Sequence, residues 1–162
     1  MKTILACEKN GGIGYQGSMP WPKQSKDLKR FKELTTDTTV LMGRGTWEAT
    51  GMPKPLPNRK NVVLTTAPPG TIDVSEADAD NVIVVNKIAD LPEIDWIIGG
   101  AGVIGSLWDQ IDELHLSHLF AEYECDTSID LDDLNRDFYC SRSQLNMTHT
   151  YEIWKRRTEE QL

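Results

Sequence analysis

Asp27 is the residue of this chain whose type and position most strongly indicate chemistry. In a helix over residues 25–34, Asp27, Phe31 and Leu34 stand at positions i, i+4 and i+7 and share one apolar stripe. The other charged residues of this helix, Arg30 among them, would take the other faces. A carboxylate on an apolar face is costly unless it meets a partner. A ligand with paired N–H donors would be such a partner, and the alternative is a surface acid that complements the helix dipole.

Two glycine-containing turns could bind phosphate groups. Gly43–Thr46 follows one apolar run, Gly99–Gly105 follows another, and each turn opens a predicted helix. Glycine lets the backbone approach a ligand closely, and the N–H groups of a helix N-terminus suit phosphate. Arg44 would add a cation, and Thr46 is expected to cap its helix. A tight turn without a ligand could explain either one alone, but the two together favour a long ligand with several phosphates.

The histidines, the cysteines and the overall charge argue against other classes of protein. His115 and His118 are three residues apart on a predicted strand and so point to opposite faces, and the cysteines lack C-x-x-C spacing. We therefore expect no metal site, and free thiols in a reducing cytoplasm. A net charge of −8 and an isoelectric point of about 4.8 argue against nucleic-acid binding. No stretch resembles a transmembrane helix, so no membrane partner is expected.

Alternating strand and helix signals predict the elements that position these residues. Short continuous apolar runs are typical of strands buried on both faces of a parallel sheet; they are Thr3–Cys7, Thr39–Met42, Asn61–Thr65, Asn81–Val85, Trp96–Ile98 and Leu114–Phe120. Helical patterns lie between some of them, at Ser25–Leu34 with Ser25 as its N-cap, at about Thr46–Thr50, and at Val103–Gln110. The tail Thr148–Arg157 predicts one more strand. The pattern indicates a three-layer α/β fold with a mainly parallel twisted sheet, an antiparallel C-terminal edge strand and flanking helices.

Two loops rich in glycine or proline lie within this framework. The first, Asn10–Lys23, is long for a connection without secondary structure, and loops of this length often act as lids. The second, Met52–Arg59, contains three prolines between a helix and a strand. Because no linker divides the chain, we expect residues 1–162 to form one domain.

A series of short blocks, taken in order along the chain, resembles the dihydrofolate reductase family. The blocks span nearly the whole chain, and they are Gly12–Trp21, Asp27–Phe31, Val40–Glu48, Pro55–Asn61, Ile98–Ala101 and Tyr151–Ile153. A single block would be weak evidence, whereas the ordered series is highly specific. The resemblance implies the fold of that family and the reduction of 7,8-dihydrofolate to tetrahydrofolate by NADPH.

The resemblance implies a substrate pocket centred on Asp27. This carboxylate would bind the amidine-like edge of the pterin, Ser117 would place a hydroxyl near it, and Trp21 would hold an ordered water; these three are the expected catalytic residues. Arg59 would pair with the α-carboxylate of the substrate's glutamate. The substrate-binding set implied in this way is Ile4, Ala6, Asp27, Leu28, Phe31, Arg59, Ile98 and Ser117.

The resemblance also implies an NADPH site at the two glycine turns. Arg44 with Thr66 favours a 2′-phosphate, and hence NADPH over NADH. The implied cofactor-binding residues are Ala6, Ile13, Gly14, Met19, Gly43, Arg44, Gly45, Thr46, Leu64, Thr65, Thr66, Gly99, Gly100, Ala101, Gly102, Val103 and Ile104. Two of them depart from the family pattern, because Ile104 stands where an aromatic is frequent and Gly102 where a longer residue is common. The short stretch 87–95 further predicts that one family helix is trimmed or missing.

The resemblance also implies a mechanism for this reduction. Hydride would pass from NADPH to C6 of dihydrofolate, Asp27 would orient the ring and raise the basicity of N5, and a water near Trp21 and Met19 would supply the proton.

Two other functions stay open. One alternative is the pyrimidine reductase of riboflavin synthesis, which resembles this chain at the glycine turns but lacks the pocket of Trp21, Asp27 and Phe31. The other is a catalytically silent nucleotide-binding protein, against which the presence of Asp27, Ser117 and Arg59 speaks. The compact length is compatible with a monomer.

Overall fold

A computed structural model describes residues 1–49, 51–75 and 78–162, and one eight-stranded sheet organises them. The strands are β1 (Lys2–Cys7), β2 (Gly12–Gly14), β3 (Thr39–Gly43), β4 (Lys60–Leu64), β5 (Val82–Val85), β6 (Trp96–Gly99), β7 (Glu113–Leu119), β8 (Thr127–Ser128), β9 (Phe138–Leu145) and β10 (His149–Arg156). The α-helices are α1 (Ser25–Thr35), α2 (Arg44–Trp47), α3 (Ala101–Ser106) and α4 (Leu131–Asp137). Short 3₁₀ turns cover Ile88–Asp90, Trp108–Gln110 and Glu159–Gln161.

The sheet confirms the predicted mainly parallel architecture. Its strand order is β5-β4-β3-β6-β1-β7-β10-β9, with parallel pairing from β5 to β7. Strand β10 runs antiparallel to both of its neighbours, so the predicted antiparallel edge is present and consists of two strands. The outermost strand, β9, was not predicted, because all but its first two residues are exposed and it lacks an apolar run.

Apolar side chains cover both faces of the central strands. Val40 and Met42 of β3 pack in one cluster with α1 residue Phe31, whereas Leu41 packs in another with Ile104 of α3 and Leu134 of α4. Successive side chains of a strand point to opposite faces. The sheet therefore lies between two apolar layers, which explains why the central strands read as continuous apolar runs.

The long loop Asn10–Lys23 contains secondary structure that the sequence analysis did not identify. Its residues 12–14 form β2, which pairs antiparallel with β8, and Tyr15 bridges Ser18. The partner strand lies more than a hundred residues away in the sequence, so no local pattern could announce it. The loop therefore starts from a fixed base beside β1.

Several predicted helix ends and caps are wrong. Gln24, not Ser25, is the N-cap of α1, and it makes no side-chain capping bond. Helix α2 begins at Arg44, so Thr46 lies inside it rather than capping it; residue 50, the predicted end, lies outside the described residues. Helix α3 spans Ala101–Ser106 instead of Val103–Gln110, because a separate 3₁₀ turn covers residues 108–110. Residues 87–95 contain a 3₁₀ turn at 88–90 and no α-helix, in agreement with the prediction that one family helix is trimmed or missing there.

Candidate active site

Asp27 and Ser117 meet between α1 and the middle of the sheet. Asp27 lies half-buried in the first turn of α1, and Ser117, which is buried, lies on β7 opposite Ala6 of β1. The hydroxyl of Ser117 donates a hydrogen bond to Oδ1 of Asp27. The sequence resemblance placed these two groups near each other, and the structure brings them into direct contact.

Arg30 joins this pair, although its predicted place was on another face of the helix. Its Nη1 lies 3.4 Å from Oγ of Ser117, and its Cζ lies 3.6 Å from the centre of the Tyr151 ring on β10. Residues three apart on a helix are neighbours, and a long guanidinium side chain reaches across the edge of an apolar stripe. The i, i+3 spacing from Asp27 was therefore the signal that could have identified Arg30.

A directed chain of hydrogen bonds fixes the ring on which Arg30 stacks. Burial lowers the pKa of His115, so its ring is neutral near pH 7. Its Nε2 lies 3.0 Å from Glu113, and although burial opposes ionisation, hydrogen bonds from His115 and Lys2 hold the pKa of Glu113 below its ordinary value. Because a carboxylate only accepts, Nε2 carries the proton and Nδ1 accepts from the hydroxyl of Tyr151.

Apolar side chains line the space around Asp27 on two sides. Ile4 is buried in the same cluster as the half-buried Phe31 and Ile98. Ala6 and Trp21 are buried in a second cluster, and the Trp21 ring meets Tyr123 edge-on with ring centres 6.0 Å apart. Leu28 is half-buried next to Asp27 on α1. The site thus combines one carboxylate with apolar walls, an arrangement suited to a flat ring that carries a polar edge.

Arg59 is a buried cation at the far end of α1. Its Nη1 donates to Thr35 at 2.9 Å, its Nε donates to the carbonyl of Pro57 at 2.8 Å, and its Cζ lies 5.8 Å from the Phe31 ring centre. Burial lowers the pKa of this guanidinium. Among the residues that the structure describes, no carboxylate forms a salt bridge with Arg59, so an anionic ligand would supply the missing partner.

Asn61 positions Arg59 and was missed by the sequence analysis. This fully buried side chain accepts from the N–H of Leu56 at 3.0 Å and donates to the carbonyls of Leu56 and Arg59 at 3.0 Å each. Three bonds from one amide fold the proline-containing loop back onto β4. The Asn-Val-Val run had indicated only the start of a strand.

The two glycine turns lie side by side at the carboxyl edge of the parallel strands. Strands β3 and β6 are neighbours, and a Cβ built on Gly99 would lie 3.0 Å from Oγ1 of Thr46, while one on Gly43 would lie 2.9 Å from Val103. Gly99 has φ +136°, a conformation open to glycine, and the bond from Gly99 to Gly100 is cis. The two turns form one surface, which we call the glycine cleft.

The polar residues expected around the glycine cleft lie at the same ends of the parallel strands. Leu64 ends β4 opposite Gly43, so Thr65 and Thr66 emerge beside the first turn. The Arg44 side chain is partly exposed and pairs with Glu48 through Nε at 2.9 Å. Added Cβ atoms at Gly45 and Gly102 would meet nothing within 4 Å, so the backbone is open there. Ala101 and Val103 are half-buried in α3, but Ile104 is buried in the core.

The long loop borders this region and is tied to the segment before β8. The N–H of Gln16 donates to Asp126 at 2.9 Å, and the N–H of Asp126 donates to the carbonyl of Gly14 at 2.9 Å. Ile13 and Gly14 are half-buried, whereas Met19 is 54% exposed and does not pack into the pocket. Among the described residues there is no cluster of three His, Cys, Asp or Glu side chains suited to a metal.

The fold and this geometry define a class: an α/β protein in which a carboxylate-bearing, apolar-walled pocket adjoins a cleft suited to a phosphorylated nucleotide. A family model described as dihydrofolate reductase matches residues 1–155. Dihydrofolate reductase type 8 from Escherichia coli is 31% identical over 97% of this chain and 96% of its own length. The chain belongs to the dihydrofolate reductase family.

Further relatives agree in sequence and in structure. Dihydrofolate reductase from Bacillus subtilis is 34% identical over 76% of this chain and 71% of its own length. A solved structure of dihydrofolate reductase from Enterococcus faecalis, complexed with NADP(H) and RAB-propyl, is 28% identical and has a TM-score of 0.78, covering 97% of this chain and 96% of that one. The family, the fold and the reduction of dihydrofolate as the activity are therefore confirmed.

Proposed function

We propose that this protein reduces 7,8-dihydrofolate to 5,6,7,8-tetrahydrofolate with NADPH, and so supports thymidylate synthesis and one-carbon metabolism. The observation that carries the proposal is the Asp27 carboxylate, bound to the Ser117 hydroxyl beside apolar walls and adjoining the glycine cleft. The NADP(H) complex of the Enterococcus faecalis enzyme supports the choice of cofactor.

The substrate would lie along α1 between Asp27 and Arg59. Asp27 would accept N–H bonds from the polar edge of the pterin, with Ile4, Ala6, Leu28, Phe31 and Ile98 around the ring. The Arg59 guanidinium would bind the α-carboxylate of the glutamate, since it is buried and has donors left after its bonds to Thr35 and Pro57. One anionic and one cationic group at opposite ends of the pocket match the two polar ends of dihydrofolate.

The residues of the glycine cleft fit a dinucleotide phosphate. Open backbone at Gly45 and Gly102 and the hydroxyls of Thr46, Thr65 and Thr66 supply uncharged donors. Arg44 supplies the cation for a 2′-phosphate, with its Nη groups still available after pairing with Glu48. NADPH bound here supplies the hydride. Ala6, Ile13 and Gly14 would border the nicotinamide, because they end β1 and form β2.

The protein itself would align the substrate with the cofactor, exclude water from the pocket and control the delivery of one proton. Asp27 would hold the pterin edge and raise the basicity of N5, and a water near Trp21 and Met19 would deliver the proton to N5. Trp21 is 7% exposed and Met19 is 54% exposed, so this pair spans the boundary between pocket and solvent. The loop over residues 10–23 would cover the nicotinamide and gate release. Holding the reacting groups in contact and excluding water lowers the barrier without a covalent intermediate.

The test is NADPH oxidation, followed by absorbance with dihydrofolate present or omitted, and repeated with NADH. We expect turnover that requires dihydrofolate, yields tetrahydrofolate and favours NADPH. Tight NADPH binding without turnover would contradict the proposal and favour the silent nucleotide-binding protein. Reduction of the riboflavin-pathway pyrimidine instead would favour the same-fold alternative.

Four further properties belong to this proposal. We propose that residues 1–162 act as one domain, supported by an eight-stranded sheet that draws strands from both ends of the chain, and as a monomer, with which the compact length is compatible. We propose a cytoplasmic location, supported by three unpaired cysteines among the described residues. The excess of acidic groups supports the absence of a nucleic-acid partner. No described helix has the length and apolar character needed to cross a membrane.

A further inference from the structure

The Ser117 hydroxyl has one proton, and its two neighbours decide where this proton goes. Nη1 of Arg30 can only donate, so its contact with Oγ at 3.4 Å occupies a lone pair of the hydroxyl. The carboxylate of Asp27 can only accept while it is ionised, so it takes the proton of the hydroxyl on Oδ1. The carboxylate thus sets the direction of this bond, and Arg30 adds a second contact that holds the hydroxyl oxygen in place.

Arg30 is itself held by the Tyr151 ring. The guanidinium carbon lies 3.6 Å from the ring centre, within the distance of a cation–π stack. The Tyr151 hydroxyl is anchored on His115, whose other nitrogen is anchored on Glu113. Each partner in this series has one hydrogen-bond direction available, so the stack is preorganised before a ligand arrives.

Oδ2 of Asp27 is not engaged by any of the described residues. The protein thus approaches the carboxylate from one side, through Ser117, and leaves its second oxygen for a ligand. The charge of Asp27 also acts on His149 and Tyr151 of β10, and burial lowers the pKa of His149. Arg30 is therefore the permanent cation that is linked to this carboxylate through a hydrogen bond.

We infer that Arg30 is a positioning residue of the substrate pocket, which fixes Asp27 through Ser117 so that its free oxygen faces the polar edge of the pterin. This inference rests on the proposed function. It assigns Arg30 no contact with the substrate, because the side chain acts through the serine hydroxyl. A planar, stacked guanidinium is needed for this role, so lysine is a poor replacement.

The test compares Arg30→Gln and Arg30→Lys with Lys29→Gln as the matched control. Lys29 is the adjacent cation on α1, its side chain is 78% exposed, and its substitution removes the same charge without touching the pocket. The measurements are kcat and KM for dihydrofolate at saturating NADPH, and the affinities for dihydrofolate and NADPH from quenching of tryptophan fluorescence. Circular dichroism verifies that each variant is folded.

Arg30→Gln is expected to weaken dihydrofolate binding and raise its KM about tenfold, the cost of one hydrogen bond to a charged group. Its kcat and NADPH affinity should change little, Arg30→Lys should recover only part of the loss, and Lys29→Gln should behave as the unmodified protein. In a Ser117→Ala background, Arg30→Gln should add no further loss, because the connection is already cut. A purely structural role for Arg30 would instead give losses that add.

Equal behaviour of Arg30→Gln and Lys29→Gln, or fully additive losses with Ser117→Ala, would overturn the inference. If Arg30→Gln does not fold, Arg30→Lys decides the question, because it keeps the charge and loses the planar stack, so its KM should rise and it should add no further loss to Ser117→Ala. An unchanged KM in Arg30→Lys would then overturn it. Absence of dihydrofolate turnover by the unmodified protein would contradict the proposed function. Normal turnover with a KM that does not change when Arg30 is substituted would contradict only this inference.

Discussion

At the scale of single residues, Arg59 is a buried cation whose unfavourable free energy in the free protein a ligand carboxylate would offset. The side chain is 8% exposed, and its two protein hydrogen bonds leave part of the guanidinium without an acceptor. A buried charge without a counter-charge is unfavourable. A ligand carboxylate would remove this cost, so the interaction is worth more here than on an open surface.

Arg59→Lys should therefore raise KM for dihydrofolate with little change in kcat. We expect an increase of about tenfold to a hundredfold, because lysine cannot keep the bonds to Thr35 and Pro57 while also reaching the carboxylate. The measurement is steady-state kinetics with dihydrofolate and with dihydropteroate, which lacks the glutamate. The unmodified protein and the variant should differ with dihydrofolate only, and an equal loss with both substrates would contradict this role.

At the residue scale, the sequence carried a local signal where a residue conflicted with the pattern around it. Asp27 stood out because it interrupts an apolar stripe, and the structure places it against a buried hydroxyl. Ser117 and Arg59 carried no such signal and came from the resemblance alone. Arg30 and Asn61 were missed because their roles depend on strands that are distant in the sequence, β7 and β10 for Arg30 and the folded-back loop for Asn61.

At the scale of elements, the base of the long loop depends on a close approach between two segments. A Cβ built on Gly12 in β2 would lie 2.4 Å from Sγ and 2.6 Å from Cβ of Cys125, next to β8. The buried carboxylate of Glu8 accepts from the N–H groups of Asn10 and Gly12 at 2.9 and 2.8 Å, and so completes the turn. The two segments can pair only because residue 12 has no side chain.

Gly12→Ala should destabilise the protein and disturb the loop, whereas Gly105→Ala should not. Overpacking of this kind costs about 1–3 kcal/mol. Gly105 lies in α3 with nothing within 4 Å of an added Cβ, so alanine there should stabilise by about 0.5–1 kcal/mol. Urea unfolding of both variants is the measurement. Equal stability of the two would contradict the close packing of β2 against the segment before β8.

Element-scale prediction worked for buried parallel strands and failed for elements defined by distant partners. The apolar runs of β1, β3, β4, β5, β6 and β7 exist because both faces are covered, and this pattern is visible locally. Strands β2, β8 and β9 are short or exposed and take their structure from pairing. The predicted N-caps, Ser25 and Thr46, were wrong, because the actual N-caps of α1 and α2 are Gln24 and Gly43 and these make no side-chain capping bond.

At the scale of the whole molecule, His118 forms an ion pair within the sheet and also contacts the segment that leads into the long loop. His118 on β7 contacts the carbonyl of Lys9 through Nε2 at 3.0 Å and Glu152 on β10 through Nδ1 at 3.5 Å. Both partners only accept, so the doubly protonated ring suits the site, and the hydrogen bond to Glu152 raises the pKa of His118. Although burial opposes ionisation, hydrogen bonds from His118, Thr150 and Trp154 hold the pKa of Glu152 below its ordinary value.

The contribution of His118 to stability should therefore depend on pH in a defined direction. A raised pKa in the folded state gives stabilisation that is complete below the ordinary value of 6.5 and is lost as the pH rises through the folded-state pKa. The difference in unfolding free energy between the unmodified protein and His118→Gln should shrink on raising the pH from about 6 to about 9. Urea titrations at both pH values measure it, with Glu152→Gln as a background in which the dependence should be weaker. A difference that grows with pH would contradict the assignment.

Asp27 is the group proposed to hold the pterin, and Asp27→Asn tests this role directly. The matched control is Glu33→Gln, which removes an exposed acid from the same helix. The measurement is kcat/KM for dihydrofolate at saturating NADPH near neutral pH. We predict a loss of about a hundredfold or more for Asp27→Asn, since orientation and the basicity of N5 both suffer, and no loss for Glu33→Gln. Full activity in Asp27→Asn would leave the family assignment standing and contradict this description of the pocket.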